Sequence, residues 1–254
     1  MTVHLVIPDP HAKPGHHNKR AEWVGRLIND LKPDVVINLG DTADMPSLSS
    51  YDRGTKAFQG RTYQADIEAH GDFQDRLWST VRKSKKRMPL RVTLIGNHEQ
   101  RIERAVNVQP ELEGVISYDD LELDKWYDVV VPYEGSTPGS VEIDGVTYAH
   151  YLVSGVACRA ISGENLGAAL IAKKHSSCTV GHNHTFDYAI RTRANGKKIM
   201  GLCAGVFQDY KAPFAGEANK LWHPGVVIKR NVEGGVYDIQ TVSLAQLKRE
   251  YGGG

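Results

Sequence analysis

Cysteine is scarce in this chain. Three in 254 residues, at Cys158, Cys178 and Cys203, are too few and too scattered for a disulfide framework or a cysteine-rich zinc knuckle. They read as reduced thiols of a cytosol-like, cytoplasmic compartment. An excess of one charge is lacking as well. The 31 Lys and Arg against 30 Asp and Glu leave +1, so no global field holds a polyanion and any nucleic-acid contact must be local. No run approaches the ~20 apolar residues that a membrane span needs. The first nine residues lack the basic stretch and long apolar core of a secretion signal. Internal repeats, heptads and low-complexity tracts are missing too. What remains is ordinary globular composition, 41% hydrophobic and 24% charged, which excludes wholesale disorder and suffices for a closed core. The unusual count is eleven histidines, the side chain most used for metal ligation and proton transfer near neutral pH.

Apolar runs place the elements. Val3–Ile7 is a buried strand ending at Pro8, residues 19–31 have helical spacing and stop at Pro33, and Asp34–Leu39 is a second buried strand. Such a strand–helix–strand unit implies parallel pairing with a right-handed crossover. Residues 45–61 read as a long loop and 62–86 as a polar helix; Arg91–Ile95 is a third strand, followed by a helix from 97 to about 106. Residues 107–126 are mixed. Beyond 127, strands are expected at 128–131, 140–143, 146–150, 177–181, 187–192, 198–203, 225–231 and 235–242, with helices at 164–174 and 243–250. Asp144–Gly145, Asn195–Gly196 and Gly234–Gly235 are hairpin turns. Residues 1–251 are expected to form a single domain and 252–254 a disordered tail.

Metal-capable residues recur where these strands end. Asp9-Pro-His11 follows the first, Gly40-Asp41-Thr-Ala-Asp44 the second, and Gly96-Asn97-His98-Glu99 the third; His150 ends a later strand and Gly181-His182-Asn-His184 another. In open α/β sheets, ligands gather beyond the carboxyl ends of the strands. Taken singly, a Gly-Asp pair is a turn, Gly-Asn-His a helix cap and Gly-His-Asn-His a polar loop. Five such segments in order deliver Asp, His and Asn to one edge.

In this order the blocks resemble the calcineurin-like metallophosphoesterases, whose pattern runs D-x-H, G-D-x-x-D, G-N-H-D/E, a lone H, and G-H-x-H. The resemblance spans residues 9 to 184 and implies an α+β fold, a four-layer αββα sandwich of two mixed sheets flanked by helices. It implies a dinuclear site in which Asp9, His11 and His184 hold one metal, Asn97, His150 and His182 the other, and Asp41 bridges both. Mixed imidazole and carboxylate donors suit manganese first, with iron, zinc, nickel or cobalt as alternatives. Two such ions would activate a hydroxide for attack on phosphorus and clamp the phosphoryl oxygens. His98, paired with Asp44, would stabilise the transition state or protonate the leaving oxygen.

Candidate substrate contacts are Arg53 in the 45–61 loop, Arg101 after Gly-Asn-His-Glu, and His17 in the loop after His11. Glu99 either orients its loop or puts charge on a first helical turn. His4 reads as a packed strand residue, and His70, His175 and His223 as surface or supporting residues. The basic run Arg82–Arg87 suits a solvated helix end. Two departures narrow the branch: Met45-Pro46 stands where protein phosphatases and diadenosine-tetraphosphate hydrolases continue with Arg-Gly, and Glu99 stands where repair nucleases carry Asp. The expected function is metal-dependent hydrolysis of a nucleotide-like or other small phosphoester, by a phosphomonoesterase or phosphodiesterase with no membrane association. A nuclease acting on DNA or RNA is the alternative, and a non-catalytic module keeping the fold a third.

Overall fold

A computed structural model describes residues 2–83 and 87–253. The expected helix end at 84–86, with Lys85 and Lys86 of the basic run, lies outside them. Two mixed sheets face each other. The first has six strands, in the order Val236–Ser243, Gly225–Glu233, Thr2–Ile7, Val35–Asn38, Leu90–Leu94 and Val129–Val131. The last four of these run parallel, and Gly225–Glu233 is antiparallel to both its neighbours. The second sheet has five strands, in the order Phe186–Thr192, Lys198–Ala204, Ser177–Val180, Val146–Ala149 and Ser140–Ile143, with the three central ones parallel.

The continuous apolar runs are explained by burial on both faces. Successive strand side chains point to opposite sides. Leu5, Ile7, Val36, Val226 and Ile228 meet the outer helices, while Val6, Val35, Ile37 and Val227 meet the second sheet. Helix Lys19–Leu31 lays Val24, Leu27 and Ile28 on the first sheet beside Phe73, Leu77 and Trp78 of helix Tyr63–Lys83 and Leu247 of helix Leu244–Tyr251. It ends at Lys32, left-handed at φ 51°, whose N–H donates to Ile28 O. Helix Leu166–Lys174 covers the far face of the second sheet with Leu166 and Leu170 against Cys178, Val180 and Cys203. The four layers are therefore helices, sheet, sheet, helix. Each fully buried Leu, Ile or Val here contributes about 1.5–3 kcal/mol. All three cysteines are free. Among the described residues no helix is long and apolar enough to cross a membrane.

Several local expectations shift. The helix expected from 97 begins only at Arg101, because residues 97–100 form a turn. The 45–61 loop contains two single 3-10 turns, Pro46–Leu48 and Lys56–Phe58. Two short ribbons, Tyr133–Glu134 with Thr137–Pro138 and Val153–Ser154 with Arg159–Ala160, were not expected from the sequence. His70 is buried, contrary to a surface reading. Gly252 donates its N–H to Lys248 O and so caps the last helix.

Candidate metal centre

The parallel strands of both sheets end on the same rim, and their following turns carry Asp9, His11, Asp41, Asn97, His98, His150, His182 and His184. Two approaches between turns need glycine. A Cβ on Gly96 would lie 2.2 Å from Asp41 Oδ1, and one on Gly181 would lie 2.5 Å from Asp9 Oδ2. Those carboxylates instead accept main-chain hydrogen bonds: Asp41 Oδ1 from His98 N at 2.8 Å, Asp9 Oδ2 from His182 N at 2.9 Å. Glu99 ties the second and third strand ends together. It is buried, and its carboxylate accepts the N–H groups of Asp41 (3.0 Å), Ala43 (2.8 Å) and Gly96 (2.9 Å). Of its two expected roles, orienting the loop is the one it performs. The backbone is left-handed at Asp9 (φ 41°), His11 (46°), Asp41 (50°), His182 (66°) and His184 (63°), a region that non-glycine residues seldom occupy.

Three groups of donor atoms converge: Asp9, His11 and His184; Asp41, His150 and His182; and His11, Asp41 and His98, each with its atoms within 4.8 Å of one another. Their protein partners do not complete them. His11 Nδ1 donates to Asp44 Oδ1 at 3.0 Å, which turns its Nε2 toward Nε2 of His184 at 3.1 Å. His150 Nδ1 donates to Leu39 O at 2.9 Å, and its Nε2 faces Asn97 Oδ1 at 2.9 Å and Asp41 Oδ2 at 3.3 Å. Asp9 Oδ1 is sealed from solvent without a hydrogen bond. Imidazole nitrogens and carboxylate oxygens from separate turns thus converge as a cation's ligands do. The donor set therefore fits divalent transition ions.

The electrostatics show the same strain. Burial pushes the Asp9 carboxyl up to about 7. Burial opposes a charge on His150, yet the Asp41 carboxylate overrides it and lifts the imidazole to about 9. Burial pulls His182 down to about 4. A chain without ions thus gathers a proton where two carboxylates and lone pairs crowd together.

His98 stands beside this group. Its Nδ1 is 2.7 Å from the main-chain oxygen of Asp44 and 3.1 Å from its Oδ1. The expected pairing with Asp44 is therefore present, but it is not exclusive: Asp44 Oδ1 also serves His11, and Lys13 Nζ lies 3.7 Å from Oδ2. Burial opposes the charge on Asp44, but hydrogen bonds from His11 and His98 hold it well below the usual carboxylate range. Arg101 is drawn in as well. It donates to Asp44 O at 2.8 Å and Met45 O at 3.1 Å, and its other amino group lies 3.1 Å from His98 Nε2.

The other two candidate substrate contacts are not brought to the cluster. Arg53 is exposed on the 51–55 turn, and among the described residues no hydrogen bond or ion pair joins it to the donors. The guanidinium that turns inward from this loop is Arg61, occupied by Asp52 and Pro46 O. His17 is largely exposed and sits 3.5 Å from Asp209.

Sequence reasoning missed Arg20. It is fully buried and donates to Pro10 O (2.7 Å), His17 O (2.9 Å), Phe207 O (3.0 Å) and Asp209 Oδ1 (3.1 Å), clasping the 8–17 turn to the 205–210 segment. That segment also supplies Tyr210, whose hydroxyl donates to His11 O at 2.9 Å. Trp222 stands edge-on to His184 at 4.4 Å between ring centroids. The aromatic pair carried no motif, and Arg20 lies on a helix with the composition of a solvated turn.

The sequence profile of the calcineurin-like phosphoesterases matches residues 4–186. No curated protein matches the chain at a significant level. Among solved structures, one described as a novel archaeal phosphodiesterase is 13% identical, covering 94% of this chain and 99% of its own, with a TM-score of 0.41. A Thermus thermophilus protein is 10% identical, covering 96% and 99%, with a TM-score of 0.39.

Proposed function

The chain belongs to the calcineurin-like phosphoesterase family, and from that premise we propose that it is a dinuclear-metal phosphoesterase. Asp9, His11 and His184 would hold one ion, Asn97, His150 and His182 the other, with Asp41 as the carboxylate common to both. The observation that carries this reading is the convergence of ligand atoms from separate turns: Asp9, His11 and His184 in one group and Asp41, His150 and His182 in another, each within 4.8 Å. Manganese is the ion proposed first, with iron, zinc, nickel or cobalt as substitutes. The substrate proposed is a nucleotide-like or other small phosphoester, because a net charge of +1 gives no field to hold a long polyanion.

When bound, such ions supply Lewis acidity toward phosphoryl oxygens and ease the deprotonation of water. The chain's own groups supply orientation and the second proton transfer. Asp44 fixes the His98 ring through Nδ1, and the ring's Nε2 lies on the cluster side, 3.8 Å from Asp41 Oδ2. On this reading a protonated His98 hands its proton to the departing oxygen as the ester bond breaks. Arg101, pinned by two carbonyls, holds its guanidinium where charge gathers on the phosphoryl oxygens.

Chelation followed by dialysis should abolish hydrolysis of p-nitrophenyl phosphate and its bis ester, and added manganese should restore it. Full activity in a chain shown by elemental analysis to be free of metal would reject the reading.

A further inference from the structure

One cleft meets the donor cluster directly. It encloses about 350 Å3 and has Asn97, an expected ligand, in its own lining. Tyr151 lines it too, with its ring centroid 4.9 Å from that of His182 and 5.8 Å from that of His150. Helix Arg101–Val108 contributes Arg104 and Asn107. The volume lies within the range of about 300–1,000 Å3 typical of small-ligand sites. A phosphoryl group seated at Asn97 has this recess beside it for one of its substituents.

The lining carries charge of one sign. Arg104 is its only cation, and it includes no carboxylate. The two arginines of this helix are placed differently. Arg101 is engaged at the rim, donating to Asp44 O and Met45 O and lying 3.1 Å from His98 Nε2. Arg104 follows three residues later, about 4.5 Å further along the axis. It is exposed, and among the described residues its guanidinium makes no hydrogen bond or ion pair. Its acidic neighbour Glu103 is turned to other groups: its carboxylate accepts from the Gln100 amide and the Tyr118 hydroxyl, each at 3.5 Å. The Tyr133 hydroxyl, in the same lining as Arg104, is buried without a completed hydrogen bond. Donors that the chain does not satisfy, beside a phosphoryl site, fit an acceptor that the substrate brings. The phosphoryl oxygens have Arg101; a group one step beyond them falls to Arg104.

We infer that Arg104 determines specificity by reading a second anionic group, phosphate or carboxylate, on the substituent that phosphorus carries into this cleft. The inference rests on the phosphoesterase reading above. Arg104 meets a group away from the breaking bond, so its contribution is to binding and is read in KM.

The test uses the full chain loaded with manganese. The substrates are phenyl phosphate, 4-carboxyphenyl phosphate and 1,4-phenylene bisphosphate, with the methyl esters of the first two to serve a strict diesterase. A para anion should lower KM about tenfold relative to the plain ring, as one hydrogen bond to a charged group contributes, and leave kcat within about threefold. The better of the two anions identifies the second group as phosphate or as carboxylate. Arg104→Ala should bring the KM ratio below twofold, and Arg104→Lys should restore part of it. Arg104→Glu should turn the preference toward a 4-aminomethyl ring. The same order should appear without turnover, in calorimetric affinities for 4-carboxybenzylphosphonate and benzylphosphonate. Equal KM values for plain and anionic rings, or a ratio that Arg104→Ala leaves unchanged, would overturn the inference and leave the phosphoesterase reading standing. Hydrolysis of none of the five with ions bound, together with no affinity for either phosphonate, would overturn both.

Discussion

Two buried clusters of titratable groups lie between the sheets, and they differ in a way that separates structure from chemistry. In the body of the sandwich, His4 meets the Tyr148 hydroxyl at 2.8 Å through Nδ1 and Asp144 at 2.9 Å through Nε2. Lys229 donates to the hydroxyls of Thr179 and Tyr148 and lies over the Tyr148 and Tyr237 rings, 4.4 and 4.2 Å from their centroids. Every nitrogen there has a partner of the opposite kind. At the rim, imidazoles face one another, His11 and His184 at 3.1 Å between Nε2 atoms, among buried carboxylates. Burial and histidine content are common to both places. What marks the rim is that three groups of imidazole and carboxylate atoms from separate turns each converge within 4.8 Å, as a cation's ligands do.

The contrast can be broken by substitution. The largest effect is expected from Asp41→Asn. Weakening the group that reaches both halves of the rim should remove both ions by elemental analysis and abolish activity. His4→Gln, in the body, should leave both ions in place. Two ions retained in the Asp41 variant would end the assignment.

His98→Ala comes next. It should retain metal yet lose about 10²–10⁴-fold in turnover of alkyl phosphoesters. The loss should be smaller with p-nitrophenyl esters, whose leaving oxygen needs little protonation. Equal losses on both would reduce His98 to an electrostatic role, and loss of metal would make it a ligand.

The smallest effect belongs to the body cluster. Burial holds Lys229 well below its ordinary value, so the folded chain binds fewer protons there than the unfolded one. Its contribution to stability is full above the unfolded pKa of about 10.4 and is lost as pH falls toward the folded value. Lys229→Met should flatten that slope and raise stability at pH 7 by about 1–3 kcal/mol, read by denaturant titration at pH 7 and pH 10. An unchanged slope would mean that Lys229 stays protonated inside the fold.

The rim was legible in sequence because strand ends announce themselves: a buried apolar run, then a donor, with a glycine between them at Gly40, Gly96 and Gly181. Helix Lys19–Leu31 was legible for the same reason, its 3.6-residue apolar period closing at a proline. The clasp around the rim was not. Arg20 takes its partners from 10 residues upstream and from 187 and 189 residues downstream, and nothing local encodes such contacts. The 205–224 segment has neither period nor motif, so the positions of Tyr210 and Trp222 follow only from the assembled fold. The sharing of Asp44 between His11 and His98 was hidden because a motif names residues without their second neighbours.

The left-handed backbone at five of the rim residues bears on how this protein can change. Each such turn costs an L-residue roughly 1–2 kcal/mol, and glycine alone escapes the penalty. Glycine at His11, His182 or His184 would therefore relax the chain while deleting a donor. Stability and catalysis pull in opposite directions at the same positions. A lineage selected only for heat resistance would find its cheapest gains there, and would drift toward an inert scaffold before its core had changed at all.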